Sequence, residues 1–469
     1  MCEIAQKCAF SHMQLGPSPA MSAIHGCKKT AIYLVKSDNS RKFVGYKEIV
    51  TMKSRYIIGA LAAMLALGTP NTMAQETAEM KEFTLEDLNF GGTNYRNMIP
   101  GNRWLTWWGD QLVRLDVEEC YLVDKKTGKE TVFFTVDDVN EWLGCTPDNG
   151  LRALYNATFP YSDQPLVLLK FGGERRLVDF EQKKQVWNQC SADELQASNF
   201  NTVSRHTAYV DGDQLYFRPA DGGKDIQLTT DGSREIVYGR SVHRDEFGIH
   251  SGLFWSPDGM RLAFYRMDQS MVTDYPQVNL FPRIATHEPD KYPMAGETSH
   301  EVTVGVYDVA TGKTLYLKAG DPKDRYFTNV AWSPDSKTIY MLELNRDQND
   351  CRLVSYDAAT GERIGELYRE TDEKYVEPQS PILFLPWDDS KFVLQSQKDG
   401  YNHLYLFDTE GNELRQLTQG QWVVMDIVGF NAKNKSIIIS SNECSPIQCN
   451  TWEVNVKSGK RTLLIDADM

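Results

Sequence analysis

One phrase closes five stretches of this chain: an apolar or aromatic run, then an acidic or amide residue, then a glycine turn. The copies are Leu122-Val123-Asp124 to Gly128, Tyr307-Asp308 to Gly312, Tyr356-Asp357 to Gly361, Phe407-Asp408 to Gly411 and Val454-Asn455 to Gly459. From Asp357 to Asp408 to Asn455 the step is about 50 residues, a period that belongs to repeat architectures and lies near the blade length of a β-propeller. An opening phrase recurs too. Trp255-Ser256-Pro257-Asp258-Gly259 and Trp332-Ser333-Pro334-Asp335 each precede a strand-like run, residues 262–265 and 338–342. The unit is turn, strand, turn, strand, and the expected fold class is all-β, a β-propeller.

Composition narrows what such a fold serves. With 64 Asp plus Glu against 50 Lys plus Arg, the formal charge is −14. That balance repels a phosphate backbone, and no basic stripe interleaved with aromatics offsets it, so no nucleic-acid partner is expected. Hydrophobic residues make up 41% of the chain, enough for a large core. The one long uncharged segment, Tyr56 to Gly68, is too short to span a bilayer comfortably. It has a basic start at Met52-Lys53-Ser54-Arg55 and small residues before a cleavage point after Ala74, the pattern of a secretory signal peptide. The expected organisation is a leader over residues 1–51 that precedes the true initiator Met52, and a signal peptide over 52–74. A linker over 75–88 and the propeller over 89–469, its last blade or blades missing, follow. The protein is therefore expected outside the cytoplasm, periplasmic or extracellular, with no membrane span after signal removal.

Cys120, Cys145, Cys190, Cys351, Cys444 and Cys449 lie beyond the leader, an even number that permits disulfides in an exported chain. Cys444 and Cys449, either side of a Ser445-Pro446 turn, are the best local pair; small buried thiols are the equal alternative. No Cys/His cluster has zinc spacing, and no metal or other cofactor is expected. Between Trp255 and Trp332 the spacing stretches to about 77 residues, so one blade carries an insertion over residues 267–299. Pro276, Pro282, Pro289 and Pro293 keep that insertion out of central strands.

From Val237 to about Gly459 the chain resembles the N-terminal propeller of dipeptidyl peptidase IV and of prolyl tripeptidyl aminopeptidase, in the prolyl oligopeptidase family of serine peptidases. The residues that carry the resemblance run from Ser241 to His250 (Ser-Val-His-Arg-Asp-Glu-Phe-Gly-Ile-His), then Phe254 to Gly259 and Phe264 to Ser270. They continue at Tyr292-Pro293-Met294-Ala295-Gly296, Tyr375-Val376-Glu377-Pro378 and Asp399-Gly400-Tyr401-Asn402-His403. The resemblance implies an eight-bladed propeller, here incomplete, capping an α/β-hydrolase domain that holds Ser, Asp and His. This sequence departs from the family in having no Gly-x-Ser-x-Gly elbow, so the chain is expected to be inactive alone. Family members usually dimerise through the hydrolase and an arm of the propeller, which makes a homodimer an implied partner state.

By the same resemblance, Asp245 and Glu246 are the candidate substrate-binding residues. An exopeptidase must distinguish a free N-terminus from an internal peptide bond, and a carboxylate at a fixed distance from the nucleophile does so by pairing with the α-ammonium group. The alternative for these two residues is a solvated acidic turn paired with Arg244. A metal reading of His243, Glu246 and His250 fails because Phe247 occupies the place where a His-x-x-Glu-His motif needs its second His. The function expected is the non-catalytic propeller of an exported exopeptidase that releases di- or tripeptides, often after Pro. It would gate access and anchor the substrate α-amino group. The alternative is a free-standing propeller used as a protein-binding scaffold.

Overall fold

The computed structural model of the chain describes residues 83–98, 103–146 and 149–465. The expected leader and signal segment, residues 1–74, lie outside the described residues. The chain divides after Ile99. In the first unit, Thr84 and Asp87 exchange side-chain-to-backbone hydrogen bonds at 3.0 and 3.2 Å ahead of a short helix, Thr93–Met98.

The second unit is a succession of antiparallel sheets, each a meander of consecutive strands except in blade 4, which an insertion interrupts. Blade 1 covers residues 104–135, blade 2 residues 166–190, blade 3 residues 197–227 and blade 4 residues 236–316. Blades 5, 6 and 7 cover residues 325–371, 383–416 and 424–465. The described residues thus form seven blades, and the expectation of the eight-bladed type is not supported. Blade 2 has three strands and blade 4 five, so the repeat is looser in the first half, where the sequence lacks the opening phrase. Residues 131–145, whose pattern fits either strand or helix, are both. Strand Glu130–Thr135 passes into helix Val136–Leu143 through a capping box of Thr135 and Asp138, and Gly144 ends the helix. No described helix is long and apolar enough to cross a membrane.

The repeated phrases hold the blades by local chemistry. In the closing phrase the acidic or amide side chain accepts hydrogen bonds from its own turn. Asp124, Asp308 and Asp357 each accept from the backbone N–H and the hydroxyl of a threonine three residues on, at 2.7 to 2.9 Å. Asn455 does the same with Ser458 at 2.9 Å. The glycine that follows, φ between 66° and 74° in these four turns, supplies the left-handed step that returns the chain to the next strand. In the opening phrase, Ser256 and Ser333 donate to Asp258 and Asp335 at 2.6 Å, and both carboxylates accept backbone N–H groups. The tryptophans reach across blades. Trp255 Nε1 donates to the Asn199 carbonyl of blade 3 at 3.1 Å, and Trp332 Nε1 to the Phe254 carbonyl of blade 4 at 3.0 Å.

Trp332→Phe keeps the ring and removes that bond, leaving the Phe254 carbonyl short of a donor. A loss of about 1 kcal/mol is expected, read as a lower urea midpoint with an unchanged slope. The largest continuous core joins blades 4, 5 and 6, with Tyr265, Phe327, Tyr356, Phe392, Tyr405 and Phe407 all fully buried. His403 serves the same architecture. It is buried, with its ring nitrogens 3.0 Å from Thr418 Oγ1 and from the Gly420 carbonyl, so it ties its strand to the neighbouring turn.

Candidate functional site

Blade 4 interrupts its own first strand. Residues Ile236–Tyr238 and Leu253–Trp255 pair with successive parts of the same neighbour, Arg261–Asp268, and the chain between them loops out. Both ends of this loop close on Tyr265, whose carbonyl accepts from Gly239 N–H at 2.9 Å and whose N–H donates to the Gly252 carbonyl at 3.0 Å. Asp245 and Glu246 sit near the middle of the loop.

The loop backbone is unusual. His243, Arg244, Asp245 and Phe247 have φ of 53°, 59°, 61° and 58°, left-handed positions broken only by Glu246 at −66°, with no glycine until Gly248 at 70°. Each such residue costs roughly 1–3 kcal/mol, so the surroundings must over-determine the turn. They do so from below. Val242, Phe247 and Ile249 are buried in the blade 4–6 core, and the Phe247 ring lies 5.2 Å from that of Tyr326. His243, also buried, stacks on His300 and stands edge-on to Tyr326. Gly248 presses against the loop from blade 5, where a Cβ would come within 2.0 Å of the Gln379 carbonyl oxygen.

What this platform presents is acidic. Asp245 and Glu246 are exposed, and neither has an ion-pair or hydrogen-bond partner for its carboxylate among the described residues. The alternative pairing with Arg244 does not form. Arg244 instead bridges Asp290 at 2.7 Å and lies over the Tyr292 ring at 5.3 Å, both residues of the insertion. That insertion is a ribbon of two short pairs, Asp274–Tyr275 with Asp290–Lys291 and Val278–Asn279 with Thr286–His287. Beside the loop, a cleft of about 480 Å³ opens between blades 3 and 4, lined in part by Ser198, Arg240, Arg244, His250, Gln269 and Asp290. Asp245 and Glu246 do not line it; their neighbours do. Of the three residues in the metal reading, His243 is buried while Glu246 and His250 are exposed, so they do not converge. Cys444 and Cys449 are exposed and not joined, whereas Cys120 and Cys351 are buried thiols, the former pushed up to about 12 by burial.

A model of the dipeptidyl peptidase IV N-terminal region matches residues 168–468, which include every residue of this loop and five of the blades beyond the first two. The chain belongs to that family. Among curated relatives, the probable dipeptidyl-aminopeptidase B of Phaeosphaeria nodorum is 26% identical over 303 residues, 58% of this chain and 33% of the relative. The corresponding protein of Emericella nidulans is 28% identical over the same length, again 58% and 33%. This chain therefore spans about a third of the length of these relatives. Among solved structures, one from Bacteroides ovatus, assigned as a dipeptidyl aminopeptidase IV, superposes with a TM-score of 0.74 at 42% identity. It covers 81% of this chain and 55% of its own. Porphyromonas gingivalis dipeptidyl peptidase 4 shares the fold, with a TM-score of 0.64 at 22% identity over 82% of this chain and 55% of its own.

The family was legible from its motifs. The His243–His300 contact was not, because 57 residues separate its halves and no local pattern announces it.

Proposed function

We propose that this chain is the substrate-anchoring propeller of an exported serine exopeptidase that releases di- or tripeptides from peptide N-termini, with Asp245 and Glu246 holding the α-ammonium group. The observation that carries this reading is the pair of exposed, unpartnered carboxylates on a turn whose backbone is fixed from beneath. A rigid unpaired carboxylate binds a cation without first breaking an internal ion pair or ordering a mobile loop. The chemistry itself belongs to an α/β-hydrolase domain, and the propeller gates the approach to it. Titration of the whole chain with a proline-containing tripeptide and with its N-acetylated form tests the anchor. Binding of the free amine and not of the acetylated peptide is expected; equal affinity for both would overturn the reading. Export is tested by mass spectrometry of the mature N-terminus, for which a start after Ala74 is expected and a peptide containing Cys27 would contradict it.

A second reading, a protein-contact scaffold or homodimer arm, is favoured by one feature of the insertion ribbon. Its tip exposes Leu280, Phe281 and Ile284, with Phe281 wholly accessible.

A further inference from the structure

His243 and His300 meet in the core, Nδ1 of the first 2.7 Å from Nε2 of the second, with the rings stacked at 4.9 Å. The backbone N–H of Phe327 donates to Nε2 of His243 at 3.3 Å. This fixes both tautomers. Because Nε2 of His243 accepts, its proton is on Nδ1, which donates to Nε2 of His300, whose own proton is therefore on Nδ1. One added proton breaks the chain of bonds. Protonation of His300 at Nε2 sets one N–H against another; moving the His243 proton to Nε2 in response sets it against Phe327 N–H instead. Every arrangement of the charged pair contains a donor facing a donor.

Nothing nearby compensates. The charged groups that act on the pair are Arg346, which disfavours a positive charge on both rings, and Arg244, which disfavours it on His300. Arg346 is tied to the Tyr326 hydroxyl at 3.0 Å, and the Tyr326 ring stands edge-on to His243 at 4.8 Å. No carboxylate pairs with either imidazole among the described residues. Burial first, then the two arginines, pushes His300 down to about 4; burial first, then His300 and Arg346, holds His243 well below its ordinary value.

We infer that the His243–His300 pair positions the Asp245–Glu246 turn and releases it when the pair takes up a proton. The inference rests on the reading of that turn as an amine anchor and adds its regulation. His243 opens the left-handed run, His300 leads into strand Glu301–Asp308 of blade 4, and Phe327 belongs to blade 5, so the pair ties the turn to two blades. The sign follows from the depressed values. The closed turn binds fewer protons than the opened one, so its stabilisation is complete above about pH 6.5, erodes as pH falls, and is lost by about pH 4. The anchor holds at neutral pH and loosens in acid.

The test uses the whole chain with ¹⁵N-labelled histidine. At pH 7.5 the two-bond nitrogen spectrum is expected to place the proton on Nδ1 of both residues. Hydrogen exchange, expressed as protection factors, is expected to fall at least tenfold over residues 243–250 between pH 7 and pH 4.5, while residues 403–408 hold theirs. His300→Gln offers an amide oxygen to the same bond and leaves one titrating ring where there were two, so the acid loss of protection over 243–250 should be clearly smaller than in the native chain. A proton on Nε2 of His243, a His300 that titrates near pH 6.5 in the native chain, or the same acid loss in the His300→Gln chain would overturn the inference; the first two need no variant. A chain that shows both signatures yet binds no peptide amine supports the positioning device and overturns the anchor reading alone.

Discussion

Gly248→Ala is expected to unmake the Asp245–Glu246 turn. At φ 70° the residue already stands where a side chain is strained, and the added Cβ would lie 2.0 Å from the Gln379 carbonyl oxygen, a backbone atom that cannot swing aside. Relief requires the 243–249 loop to lift from the 376–379 segment, and lifting it draws Phe247 and His243 out of the core that blades 4, 5 and 6 share. A destabilisation on the order of 3 kcal/mol is expected, at the upper end for a single substitution. Urea unfolding of the purified chain checks it. A change below about 0.5 kcal/mol would mean that the loop does not need its contact with Gln379. Gly365→Ala, where a Cβ meets open space, is the control.

The second large effect is on binding. Asp245→Asn and Glu246→Gln preserve shape and remove charge, so the fold should hold and the grip on a free α-ammonium group should fail. Hydrogen bonds to a charged partner are the strong class, and each substitution is expected to weaken binding of a free-amine tripeptide on the order of tenfold or more. Affinity for the N-acetylated peptide should not move. If only one of the two substitutions has this effect, that residue is the anchor and its neighbour a bystander; if neither does, the acidic turn serves another purpose. Calorimetric titration distinguishes these outcomes.

How much of this was legible beforehand depends on the range of the interaction involved. The closing and opening phrases are complete within six residues: Asp357 binds Thr360, and Ser333 binds Asp335. Their repetition alone therefore announces the propeller. The blade count was not legible. Blades 2 and 3 carry neither Trp-Ser-Pro-Asp turn, and blade 2 has only three strands, so the period fades where it would have to be counted. The family resemblance pointed to Asp245 and Glu246 as candidates but not to what holds their turn. Nothing in His243-Arg244-Asp245 predicts a left-handed backbone, since these are not glycines. That conformation exists because contacts from His300, Phe327 and Gln379, 50 to 130 residues away in sequence, select it. The partner of Arg244 was hidden for the same reason. Its local neighbour is Asp245, and its partner is Asp290, brought back by the ribbon.

The most direct measurement is a crystal structure of the chain with a proline-containing tripeptide at saturating concentration. The account predicts the α-amino nitrogen within about 3 Å of a carboxylate oxygen of Asp245 or Glu246. A peptide bound with its amino group elsewhere, or no bound peptide at all, would contradict it.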